Sequence, residues 1–133
     1  MDAEDDDEPT EGPNEYGVFS NFGAERLRFE SKKAWVEIRV KETAPGEWRH
    51  SLFLEFHFGA LQGVSYGMSE AVPPAKSRGE AVHEGVMSVR RAIEESHRMS
   101  SSLSKPGEEA LLRLTAWLDS LLRPEAAQLP LFA

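Results

Sequence analysis

The chain has 133 residues, room for one domain with a single core, since domains usually run to roughly 100 to 150 residues. With 40% apolar and 29% charged residues the composition is that of a folded globular protein rather than a disordered or membrane-embedded one. Cysteine is absent, which excludes disulfides, thiolate metal ligands and a cysteine nucleophile, and the formal net charge is −8.

That charge is concentrated at the start of the chain. Asp2, Glu4, Asp5, Asp6, Asp7, Glu8, Glu11 and Glu15 account for the whole excess of 23 acids over 15 Lys and Arg. Residues 1–15 also contain Pro9, Gly12 and Pro13 and almost nothing apolar, so burial cannot offset the entropy of ordering them, and a disordered acidic tail is expected. The remainder is formally neutral. It lacks the surplus of Lys and Arg that displaces counterions from phosphate backbones, so direct nucleic-acid binding by the body is not expected. An acidic leader is also the reverse of a secretory signal, and no apolar run approaches the roughly 20 residues that span a bilayer. A cytoplasmic location with no membrane partner is the expectation.

Residues 16–124 read as one α+β domain. Glu25 to Glu30 alternates with Leu27 and Phe29 inward, and Ala34 to Lys41 does so with Val36, Ile38 and Val40 on one face and Trp35, Glu37, Arg39 and Lys41 on the other, the period of a half-buried strand. After a turn at Ala44-Pro45-Gly46, Trp48 to Phe58 places Leu52, Leu54, Phe56 and Phe58 together, with His50 and Phe53 read as exceptions. Gly63 to Met68 supplies a fourth strand with Val64, Tyr66 and Met68 on one side. These segments predict an antiparallel meander of about four strands with one buried face.

Pro73-Pro74 breaks the chain, and Ser77 with Glu80 forms a capping-box pattern ahead of Val82, Val86, Val89 and Ile93 at helical spacing, which predicts a helix from Arg78 to about Met99. Ser100 to Ser104 is a polar linker. A second helix begins near Pro106, carries Leu111, Leu114, Leu118 and Leu121 with Ala110, Trp117 and Leu122 beside them, and stops at Arg123-Pro124. Two amphipathic helices after a one-sided sheet predict a two-layer fold, with the helices covering the sheet.

Chemistry-bearing residues are sparse. His50 and His57 fall on opposite faces of one strand, so they cannot share a metal on undistorted backbone. Glu55 and His57 share a face and are the one pair that could serve a small enzyme as acid and base, although two groups make a thin site. Glu80, His83 and Glu84 have helical spacing for a metal but match an ordinary solvated face. Arg90, Arg91 and Arg98 are offset by Glu94 and Glu95. Gly59 to Gly67 lacks the spacing and the lysine of a phosphate loop, and no Gly-x-Ser-x-Gly elbow occurs. Neither a catalytic residue, a metal site nor a cofactor is assigned.

Beyond the helix stop lies a separate C-terminal peptide, residues 125–133, in which Leu129, Leu131 and Phe132 are apolar and Pro130 biases the backbone toward an extended form. Gln128-Leu129-Pro130-Leu131-Phe132 resembles the clamp-binding pentapeptide of bacterial proteins that dock on the replication sliding clamp, a motif of Gln, Leu, a small or polar residue, Leu and Phe. The resemblance covers five residues, with Pro130 where serine or aspartate is commoner. It implies that Gln128 is a polar anchor, that Leu131 and Phe132 fill an apolar pocket, and that Leu129 supports them. It implies a non-catalytic accessory or inhibitor of replication or repair, in a bacterium, phage or plasmid. The alternative is an interaction or immunity-type module whose sheet or helix face binds another protein, with the peptide packed on its own domain. Oligomeric state is not legible.

Overall fold

A computed structural model describes residues 12–57, 62–99 and 105–123. In chain order its elements are β1 (Val18–Phe19), β2 (Glu25–Glu30), β3 (Ala34–Ala44), β4 (Glu47–Phe56), β5 (Gln62–Tyr66), β6 (Met68–Ser69), α1 (Arg78–Met99) and α2 (Lys105–Leu121). Strands β2-β3-β4-β5 form one antiparallel sheet in that order, and β1 pairs with β6 in a two-stranded ribbon. This is the α+β meander with two helices that the alternating and helical periods predict.

The β3–β4 hairpin is longer than the sequence period suggested. Alternation falters after Lys41, yet pairing runs on through Glu42 and Trp48 to Ala44 and Glu47, with a bulge between Glu42 and Ala44. The turn tolerates this because Gly46 takes a left-handed φ of 76°, a conformation that costs glycine little. Glu42 secures it by accepting a hydrogen bond from the Gly46 amide at 2.9 Å.

The fourth expected strand divides. Gln62 to Tyr66 pairs with β4, whereas Met68 turns away at Gly67 to pair with Phe19. A Cβ on Gly67 would lie 2.9 Å from Val18 Cγ1, so the absent side chain is what lets the ribbon close on the sheet. Met68 is buried there, but Val64 and Tyr66 are exposed rather than core.

The core lies between the sheet and the helices. Val36, Ile38, Val40, Leu52, Leu54 and Phe56 meet Ala81, Val82, Val86 and Val89 of α1 and Ala110, Leu114 and Leu118 of α2. At the start of α1 the Glu80 amide donates to Ser77 Oγ at 3.1 Å. The Glu80 carboxylate accepts from the Lys76 amide at 2.9 Å, one residue earlier than in the usual box. Gly85 lies at the centre of the helix–sheet contact: a Cβ there would stand 2.7 Å from Ile38 Cγ2, so the helix settles against β3 only because that side chain is missing. Among the described residues no helix is long and apolar enough to cross a membrane.

Candidate functional site

Two polar constellations arise where strand alternation brings distant residues together. The first lies on the side of the sheet away from the helices. There Glu37 receives Arg26 Nη1 at 2.6 Å, Arg28 Nε at 2.8 Å and Arg39 Nε at 2.7 Å, and only 4% of it is exposed. Cross-strand register explains the meeting, since Arg28 is opposite Glu37 and Arg26 is opposite Arg39. Burial raises the Glu37 pKa, but the three guanidinium hydrogen bonds together outweigh it and hold the carboxyl at about 2. Arg39 also donates to Ser51 Oγ at 3.2 Å, and Ser51 donates to Asn21 Oδ1 at 2.9 Å. The segment before β2 is thereby fastened over this end of the sheet, helped by Lys41 Nζ on the Ser20 carbonyl at 2.9 Å and by the Arg49 guanidinium 4.7 Å from the centre of the Phe19 ring.

The second constellation sits at the join of β4, β5 and α1. His50 Nε2 and Tyr66 Oη are 2.5 Å apart, and Tyr66 donates to Ser88 Oγ at 2.9 Å. On its other side the His50 ring presents Nδ1 to Glu84 Oε1 at 3.6 Å, and the tautomer sets whether His50 donates to Tyr66 or accepts from it. Burial pushes the His50 pKa down. Burial likewise raises that of Tyr66, outweighing the Ser88 hydrogen bond and the nearby Arg91 charge. Gly85 of α1 packs beside the site, its Cβ position in ordinary van der Waals contact 3.5 Å from His50 Cδ2. The adjoining cavity of about 50 Å³, lined by Trp48, His50, Tyr66 and Glu84 among others, has room for a few waters rather than an organic substrate.

The sequence reading missed this cluster by treating His50 as an exception. Its parity with Leu52, Leu54 and Phe56 was the available signal, because every even position of β4 faces the helices. Residues 50, 66, 84 and 88 otherwise share no spacing that points to a common site.

The other sequence candidates are dispersed. Glu55 Oε1 and His57 Nε2 are 3.9 Å apart and about half exposed. They line an open cleft with Glu30, Ser31, Lys32, Ala34 and Trp35, and Trp35 stands edge-on to Phe53 with centroids 4.9 Å apart. Glu80 is engaged in the helix cap and Glu84 faces His50. Among the described residues no three His, Asp or Glu side chains are grouped to hold a metal. Arg90 pairs with Asp119 of α2, so it ties the helices together, while the side chain of Arg98 lies outside the described residues. Gln128, Leu129, Leu131 and Phe132 also lie outside them, as does the acidic run at residues 1–11.

No family model matches the chain. Neither a curated protein nor a solved structure matches it either.

Proposed function

We propose that this protein docks on the bacterial replication sliding clamp through Gln128 to Phe132 and so tethers its α+β body there, as an accessory or inhibitor of DNA replication or repair. The observation that carries the reading is the sequence Gln-Leu-Pro-Leu-Phe after the helix stop at Arg123-Pro124. Gln128 serves as the polar anchor, Leu131 and Phe132 as the apolar plug, and Leu129 as a flanking contact.

Burial of Leu131 and Phe132 contributes roughly 1.5 to 3 kcal/mol each before the cost of ordering the peptide. A micromolar complex requires about 8 kcal/mol, so one peptide binds weakly. Titration of the purified protein against the clamp of the organism that encodes it is the test. Binding that falls at least tenfold with Gln128→Ala plus Phe132→Ala, or on deletion of Leu129 to Ala133, supports the reading; absence of binding by the intact protein ends it. A second reading, in which the body itself recognises a protein, is favoured by Trp35, which is 40% exposed. A partner retained after the deletion would point there.

A further inference from the structure

The two edges of the main sheet differ in kind. Strand β2 carries Glu25, Arg26, Arg28 and Glu30 among its six residues, the dense charge with which proteins protect an edge from joining another sheet. Strand β5 reads Gln-Gly-Val-Ser-Tyr, with neither a charge nor a proline. It is the terminal strand of the sheet, and among the described residues no strand pairs with its outer edge. Its apolar surroundings are also open, with Val64 38% and Met87 of α1 40% exposed.

We propose that β5 is a homodimer interface, on which a second copy of this chain pairs its own β5 antiparallel across a two-fold axis near Val64. The sequence of the edge is self-complementary. Antiparallel pairing about Val64 sets Val64 against its counterpart, Gly63 against Ser65 and Gln62 against Tyr66, so no like charges meet. The adjoining helix carries opposite charges spaced to suit the same arrangement. Glu84 and Arg91 lie about one turn on either side of Met87, both near Tyr66, so a two-fold axis beside Met87 brings each Glu84 toward the Arg91 of the second copy. An unrelated peptide strand would require neither property.

The assembly also stops at two. Pairing of β5 joins the sheets into eight strands whose outer edges are both the charged β2, leaving no open edge for a third copy. A stable interface needs about 1,200 Å² in total. The strand pairing, Val64, Tyr66, Met87 and the two ion pairs are the groups that supply it. The interface stands independently of the clamp reading. Where both hold, each dimer presents two Gln128 to Phe132 peptides, and the second engages a ring of repeated pockets at high effective concentration.

Sedimentation equilibrium of the full chain without any clamp tests the proposal. The expected result is a monomer–dimer equilibrium, with dissociation raised at least tenfold by Val64→Arg, which sets two like charges face to face at an exposed position that a monomer tolerates. Arg91→Glu weakens the dimer, and adding Glu84→Arg restores it, a reciprocity that a merely structural role does not produce. Gln128→Ala plus Phe132→Ala leaves the dimer intact, which separates this interface from the clamp peptide. A monomer at every concentration up to about 1 mM, an affinity close to that of negligible association, overturns the proposal. So does a dimer indifferent to Val64→Arg.

Discussion

The two faces of β3 bury their residues by different means. On the helix side Val36, Ile38 and Val40 are shielded by a second layer of α1 and α2. On the opposite side no helix lies over Glu37 among the described residues, yet it is nearly as inaccessible. Its cover comes from the guanidinium groups of Arg26, Arg28 and Arg39 that converge on the carboxylate and from the segment before β2 fastened over this end of the sheet. An apolar face thus needs a neighbouring element to become buried, whereas a charged face can be closed by side chains of adjacent strands. The first kind of burial is driven by removal of surface from water. The second holds only while every partner is present, because a desolvated charge left without ligands is costly.

Removing one residue from each face separates the two mechanisms. Leu54→Ala takes a fully buried side chain from the centre of the inner face and is expected to cost about 4 kcal/mol in urea unfolding, with little dependence on salt. Glu37→Ala leaves three guanidinium groups without their common acceptor. It is expected to cost about 3 kcal/mol, toward the low end for breaking a buried ion pair because Arg26 and Arg28 keep access to water. The Glu37 contribution should persist in neutral solution and fail only in strong acid. Its folded pKa of about 2 is below the ordinary 4.5, so the stabilisation is complete above that ordinary value and is lost as pH falls toward 2.

A smaller and oppositely placed effect belongs to His50. Its folded pKa is depressed by burial, so between that value and the unfolded value of about 6.5 the unfolded chain takes up a proton that the folded chain refuses. Stability is therefore complete above about pH 6.5 and declines as pH falls below it. Comparison of urea unfolding at pH 7.5 and 5.5 should show this loss in the native chain and a smaller one in His50→Gln. An equal loss in both would mean that folded His50 takes up its proton as readily as the unfolded chain does, with Glu84 offsetting the effect of burial.

The meander, both helices and the Ser77 cap could be read from the chain because each is local: alternation in Val36 to Val40, a stripe from Val82 to Ile93, a cap three residues from its glutamate. The β1–β6 ribbon could not, since two-residue strands leave no period and the pairing of Phe19 with Met68 spans the whole sheet. Burial of Glu37 was also invisible, because alternation marks a charged position as solvent-facing without saying which cations are opposite it. The candidate sites divide in the same way. The C-terminal peptide is a contiguous string and is legible as one, whereas His50, Tyr66, Glu84 and Ser88 become neighbours only after strand pairing and helix docking have both occurred.

Gly85 gives that docking an angular meaning. A helix resting on a flat apolar face could roll about its own axis by some tens of degrees and still bury much the same area, since hydrophobic contact is indifferent to direction. The gap at Gly85, into which the Ile38 methyl fits, admits only one azimuth. A missing side chain therefore works as an index mark for the 22 residues of α1: it fixes which of them look inward, which reach Tyr66, and which present Glu84 and Arg91 beside the open strand.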